Sequence, residues 1–421
     1  MLYERWLQMA RARRSELALL DVHADRAWTF GELERAADLC PPPEAVVFPS
    51  GRSAAFLLDV LGAWRHRRVL CPLDAGQAAA TTPDLHDDSI HLKLTSASSG
   101  TPRLVAFTAS QLAADADQIV ATMGLRPDWA NIGVISLAHS YGFSNLVLPL
   151  LLHGIPLILA ESNLPEAVRR ACAMASAVTL PAVPVLWRSW LEAGAIPPHV
   201  RLAISAGAPL PLALEASIFA RHGLKVHNFY GATECGGIAY DTTSTPRTRE
   251  GWVGFPIKGV DLSVADDGCL EIRGASVGLG YLPPDPLHLG HGRYHSHDLV
   301  DVSESGVSLL GRASDLINVA GRKVAPEAIE RVAIDIPGVA ACLVFGVPED
   351  ASARNERIVA LVAPHPTFVL DLESVRSELL HRLPSWQVPR EWKRVAEIPA
   401  NARGKISRAA WRQRYLAGEL A

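Results

Sequence analysis

The sequence is poor in everything that would commit it to a membrane, a disulfide scaffold or a nucleic acid. Its six cysteines, Cys40, Cys71, Cys172, Cys235, Cys269 and Cys342, include no Cys-x-x-Cys pair. That speaks against a zinc finger or a disulfide framework and suits a reducing compartment. The N-terminus runs from Trp6 into Arg11, Arg13 and Arg14 without the continuous apolar core of a signal peptide. One apolar run, Phe143 to Ala160, approaches membrane-span length, but Asn145, Pro149, His153, Gly154 and Pro156 interrupt it. It reads as a buried helix followed by a strand at 156–159. A formal net charge of -4 over 421 residues gives no basic excess for nucleic acid or an anionic membrane. No repeat or low-complexity segment occurs. The expectation is a cytoplasmic enzyme of two or three domains, monomer or homodimer, with no nucleic-acid or membrane partner.

What is present is an alternation of helical patterns with short β-rich runs, the signature of an α/β sheet protein. Strands are expected at Leu104 to Phe107, Ile132 to Leu137, Ala177 to Leu180, Leu202 to Ser205 and Val226 to Tyr230. Thr108 to Gln111 has capping-box form, opening a helix that runs to Gly124. From 251 to 311 the pattern is β-rich, with hairpin turns at Asp266-Asp267-Gly268 and Glu304-Ser305-Gly306. Beyond it, Pro326 opens a helix to Ile334, strands follow at 341–346 and 358–362, and helices cover 372–383 and the region of Trp411 and Tyr415. The division is therefore a large core, 1–312, and a small α+β domain, 313–421.

Two loops carry chemistry. Thr95-Ser96-Ala97-Ser98-Ser99-Gly100-Thr101-Pro102-Arg103 is small, hydroxylated and turn-forming, with a terminal cation. Backbone N–H groups and hydroxyls in such a loop converge on phosphate. It is not a Walker loop, because Thr-Pro-Arg leads into a strand rather than Gly-Lys-Ser/Thr into a helix. Asn228-Phe229-Tyr230-Gly231-Ala232-Thr233-Glu234 offers an aromatic face, a hydroxyl and a carboxylate, suited to adenine, a phosphate and Mg²⁺.

Together these loops resemble the adenylate-forming superfamily of acyl- and aryl-CoA ligases, peptide-synthetase adenylation domains and luciferase. Trp28 to Leu33, Leu61 to Trp64 with Pro72-Leu73-Asp74, the phosphate loop, Tyr230-Gly231-Ala232-Thr233-Glu234, Asp298, Gly311-Arg312, Gly321 to Val324 and Gly404-Lys405 stand in the family's order. The resemblance implies a large α/β domain with a mobile C-terminal lid, and ATP, Mg²⁺ and a thiol as co-substrates or cofactor. It implies that Thr95, Ser96, Ser98, Ser99, Gly100, Thr101 and Arg103 hold pyrophosphate, and that Gly207-Ala208-Pro209, Tyr230 and Gly231 line adenine. Asp298 and Arg312 would take the ribose. Thr233, Glu234 as the metal ligand, and Lys405 would be catalytic, Ser314 and Asp315 the hinge, and Gly321 part of the thiol tunnel.

The reaction so implied joins a carboxylate to AMP, releasing pyrophosphate, and then passes the acyl group to a thiol. Either coenzyme A or the phosphopantetheine arm of an acyl carrier protein would serve; Lys323, Arg403, Arg408 and Arg412 are the cations available to the 3′-phosphate of coenzyme A. The pocket for a small carboxylic acid would comprise His139, Phe143, Val183, Gly236 and Gly237, the glycines leaving room for a flat ring or a chain. No acid occurs between Asp128 and Glu161, which disfavours an α-amino acid, whose ammonium would be buried unpaired. An aromatic or other non-amino acid is expected. An inactive scaffold of the same fold is the reading from another class. Arg103 stands where the family has Lys and Ala97 where it has Gly. His288, His291, His295 and His297 raise a second idea, a metal site near Asp298.

Overall fold

The computed structural model describes residues 1–74, 76–77, 85–95, 103–349, 355–365, 368–399 and 406–420. Its largest sheet contains six mutually parallel strands, Leu17–Asp21, Leu157–Leu159, Ala130–Gly133, Val178–Ala182, Val200–Ser205 and Val226–Ala232, in that spatial order. Strands such as Val178–Ala182 are buried at every position, as expected where helices cover both faces of a parallel sheet.

Past Val226–Ala232 the same sheet turns antiparallel, through Gly236–Tyr240, Trp252–Pro256, Gly306–Arg312, Arg293–Ser303, Cys269–Gly274 and Val260–Val264. The β-rich region is thus an extension of the main sheet: Tyr240 pairs directly with Phe255 across position 251. Both expected hairpins form, turning at 265–268 and at Glu304-Ser305.

A second sheet joins Gly280–Leu282, Leu104–Phe107, His91–Leu94, Val69–Leu70 and Val46–Val47. From it the chain enters the helix Ala109–Met123. Thr108 accepts from the Gln111 N–H while Gln111 reaches back to the Thr108 N–H, and Gly124 closes the helix in the left-handed conformation.

Two local expectations were displaced. The strand expected over 132–137 spans Ala130–Gly133, because its neighbour Leu157–Leu159 offers pairing only that far. The run from 143 begins as a π-helix, Phe143–Val147, before the α-helix Leu148–His153. Pro149 has no N–H for the regular ladder, and Asn145 Nδ2 donates to the Tyr141 carbonyl at 3.2 Å inside the wide turn.

The C-terminal part has its own apolar core around Ile329, Val344, Ala360 and Leu379. It contains the sheet Val339–Pro348, Glu356–Pro364 and Glu391–Arg394, and the helices Pro326–Ile334, Leu372–Arg382 and Arg408–Leu416. Among the described residues no helix is long and apolar enough to cross a membrane.

Candidate functional site

Three parallel strands end side by side: Ala182 pairs with Ser205 and Ser205 with Asn228. Ligands in open α/β sheets bind outside such carboxyl ends. Here that edge brings together Val183, the turn at Gly207 and the segment from Tyr230 to Glu234. Gly207 has φ +84° and its missing Cβ would lie 3.4 Å from Val183 Cγ1, so the turn approaches the neighbouring strand end closely. Ala208 and Pro209 continue it at the surface. The strands Val226–Ala232 and Gly236–Tyr240 form a hairpin whose turn is Thr233-Glu234-Cys235.

Polar contacts knit the expected residues together. Tyr230 Oη donates to Asp298 Oδ2 at 2.5 Å, and Arg312 Nε donates to Asp298 Oδ1 at 3.0 Å. Asp298 and Arg312 are paired across adjacent strands, which fixes the carboxylate between a phenol and a guanidinium. Burial, and the neighbouring Asp298 carboxylate, push the Tyr230 phenol well above its ordinary pKa, so it stays a donor.

Sequence reasoning missed Tyr281. Its hydroxyl donates to Glu234 Oε1 at 2.9 Å, while the Arg103 guanidinium stacks on its ring 3.7 Å from the centroid. Burial raises the Glu234 carboxyl above the usual range, and the Tyr281 bond opposes that rise. Arg103, placed by resemblance against pyrophosphate, donates here to Asp285 Oδ2 at 3.0 Å and to the Pro283 carbonyl at 3.4 Å. Thr95 is held by two bonds to Arg103: its N–H to the Arg103 carbonyl at 2.8 Å, and the Arg103 N–H to its Oγ1 at 2.9 Å. Ser96, Ala97, Ser98, Ser99, Gly100 and Thr101 lie outside the described residues, as do Arg403, Gly404 and Lys405.

The glycines expected in the acid pocket are also held small by their neighbours. Gly236 has φ +74°, and a Cβ there would stand 2.0 Å from Asp115 Oδ1; one at Gly237 would meet Ile257 at 3.0 Å and Phe229 at 3.2 Å. The Cβ direction of each is occupied by protein. Phe143 is likewise wholly buried, its ring 4.5 Å from that of His91. Val183 directly follows the strand Val178–Ala182, and His139 opens the short helix Ser140–Gly142.

Behind the hairpin lies a buried ion pair that no motif signals. Lys93 Nζ is 3.7 Å from Asp115 Oδ2, each side chain 3% exposed. Lys93 donates to Ser144 Oγ at 3.3 Å, Ser144 donates to Asp115, and Asp115 Oδ1 accepts the Gly237 N–H at 3.3 Å. Burial lowers the Lys93 ammonium while Asp115 counteracts it. The pair anchors the floor of the Thr233–Cys235 turn.

At the expected hinge, Ala313–Asp315 is a single 3₁₀ turn. Ser314 donates to Asp315 Oδ1 at 3.2 Å, and Arg408 pairs with Asp315, Glu327 and Glu330. Arg408 is therefore engaged by carboxylates rather than offered to a phosphate. Gly321, φ +83°, sits at the tip of the hairpin Ile317–Val319 and Arg322–Val324, with open space where a Cβ would be.

The family model described as AMP-binding enzyme matches residues 69–282, and that of the AMP-binding enzyme C-terminal domain matches 328–405. The chain belongs to the AMP-binding enzyme family. Within that family, a Mycobacterium tuberculosis protein named probable 2-succinylbenzoate–CoA ligase is 30% identical, over 89% of this chain and 99% of its own. The sulfoacetate–CoA ligase of Cupriavidus necator is 28% identical over 87% of this chain and 76% of its own. Among solved structures, ATP-bound MatB from Rhodopseudomonas palustris has the same fold, with a TM-score of 0.86 at 22% identity, covering 98% of each chain. MenE from Bacillus subtilis in complex with AMP follows at 0.82 and 19%, covering 96% of this chain and 97% of its own.

Proposed function

We propose that the chain is an ATP-dependent ligase that converts a non-amino, aromatic or related carboxylic acid to its acyl-adenylate and then to the coenzyme A thioester. The observation that carries this reading is the Tyr230–Asp298–Arg312 network standing beside the Thr233-Glu234 turn. A carboxylate held between two donors keeps its remaining acceptor capacity for the two hydroxyls of a ribose, and the Tyr230 ring offers a face for adenine. The relatives named for CoA ligases support the acceptor and the acid class.

Glu234 is the residue to hold Mg²⁺: a lone, partly buried carboxylate oriented by Tyr281 suits a cation that takes one or two carboxylates and fills its shell with phosphate oxygens and water. Bound there, the ion would neutralise charge on the triphosphate during in-line displacement. The Thr233 hydroxyl donates to the α-phosphate. Lys405, by the resemblance, would come between the substrate carboxylate and the α-phosphate and offset their repulsion. The carboxylate oxygen forms its bond to the α-phosphorus as the bond to pyrophosphate breaks. In the second half, the thiol passes Gly321, attacks the acyl carbon and expels AMP, the hinge at Ser314-Asp315 having turned the small domain.

The acid class follows from charge. An α-amino acid needs an unmatched carboxylate, and the acid buried nearby, Asp115, is matched by Lys93. The cytoplasm is the compartment that fits six unpaired thiols.

The test is carboxylate-dependent ATP–pyrophosphate exchange across aryl, acyl and amino acids, followed by mass analysis of products with coenzyme A and with a pantetheinylated carrier protein. Exchange with an aryl acid and a coenzyme A thioester is the expected result. Loading of the carrier alone would replace the acceptor, and absence of exchange with every acid would overturn the reading.

A further inference from the structure

Three histidines of the β-rich region lie together. The ring of His288 lies 5.9 Å from that of His295 and 5.1 Å from that of His297, while His291 occupies a turn with φ +53°. The cluster that forms is different from a run of histidines: the ligand atoms of Asp267, Cys269 and His295 all lie within 4.8 Å of one another.

The local fold gathers them. Gly268 lets the chain reverse at 265–268, so Asp267 and Cys269 face the strand Arg293–Ser303. Across that pairing the register slips: Cys269 is opposite Leu299, yet Glu271 is opposite His295, so the longer strand carries two extra residues between them. Such an irregularity re-aims side chains, and here it leaves His295 beside the turn. Asp267 Oδ1 accepts the Cys269 N–H at 3.0 Å, and Oδ2 is 3.0 Å from His295 Nε2. Cys269 is 1% exposed and His295 half-buried, whereas Asp267 is open to solvent, giving an ion an entry from the carboxylate side.

We propose that Asp267, Cys269 and His295 form a zinc-type site with three protein ligands and a water. A thiolate, an imidazole and a carboxylate together are the donor set of zinc and exclude Mg²⁺ and Ca²⁺, which take oxygen alone. In a tetrahedral site with bonds of about 2.0–2.3 Å, ligand atoms stand about 3.3–3.8 Å apart. Reaching that from the present geometry needs shifts of about 1 Å or less. Binding replaces the thiol proton, which leaves to solvent, by a metal–sulfur bond. Because Leu299 lies opposite Cys269 and follows Asp298, the ion would fasten the turn to the strand that presents the ribose carboxylate.

Cobalt(II) titration of the full chain, with no nucleotide present, tests this. One equivalent is expected to bind with visible bands of tetrahedral cobalt and a near-ultraviolet thiolate charge-transfer band; zinc should displace it and raise the melting temperature. Cys269→Ser should lose the charge-transfer band and weaken binding at least tenfold, and His295→Asn should weaken it similarly. Both variants should retain wild-type circular dichroism. His291→Asn, in the adjacent turn, should bind as wild type. Less than one equivalent of cobalt, a spectrum without thiolate charge transfer, or binding unchanged by Cys269→Ser would each overturn the site. The readout is independent of adenylation, so its failure leaves the ligase reading untouched.

Discussion

The Tyr281 hydroxyl donates to Glu234 Oε1, and the face of the same ring carries the Arg103 guanidinium. One aromatic side chain therefore links the carboxylate assigned to Mg²⁺ with the cation assigned to pyrophosphate. This gives Glu234 a pH signature. Its carboxyl is already raised by burial, and Tyr281 favours the charged form. Tyr281→Phe should raise it further. Since the metal needs the ionised form, the acid limb of ATP–pyrophosphate exchange should move to higher pH with the plateau changed only a few-fold. A pH–rate profile of both proteins decides it; an unmoved limb counts against Glu234 as the metal ligand. The corresponding stability term has the opposite sense: a raised folded value stabilises below it, and that stabilisation is lost as pH rises through it.

Asp298 is expected to be a binding residue first. Removing a carboxylate that accepts from ribose should cost about 1.5–3 kcal/mol, or roughly 10- to 150-fold in kcat/KM for ATP. In steady-state kinetics Asp298→Ala should show this chiefly in KM for ATP. A loss confined to KM for the acid would contradict the assignment.

The half-exposed Arg103–Asp285 pair is worth little by itself. Asp285→Asn should free Arg103 and lower KM for ATP by about two- to five-fold, while Arg103→Ala should raise it. If both substitutions raise KM alike, Arg103 acts through Asp285 rather than on pyrophosphate.

Breaking the Lys93–Asp115 pair from one side leaves a buried charge uncompensated. Lys93→Met should destabilise by about 3–5 kcal/mol, whereas Lys93→Met with Asp115→Asn should recover most of it. Urea unfolding of the single and double variants measures the difference, and equal destabilisation would show that the pair is not coupled.

Local signals were well legible. The cap at Thr108, the stop at Gly124 and the hairpin turn at Gly268 are decided by residues within a few positions of one another, and each formed. The order of Tyr230, Glu234, Asp298 and Arg312 was also readable, because their chemistry recurs in a fixed sequence. Lys93 and Asp115 were not. They sit on different elements, and a lysine between Leu92 and Leu94 gives no hint of a partner. Tyr281 was hidden likewise, 47 residues from Glu234. Gly236 has a steric reason for its size that the sequence could not show: its Cβ direction points at Asp115, 121 residues earlier in the chain.

Arg408 also bears on when the small domain can fold. Asp315, Glu327 and Glu330 all turn towards its single guanidinium, and it opens the last helix. During synthesis, the turn Ala313–Asp315 and the helix Pro326–Ile334 leave the ribosome before their counter-charge exists. The small domain therefore waits for residue 408 to emerge, whereas the core, earlier in the chain, is free to form first.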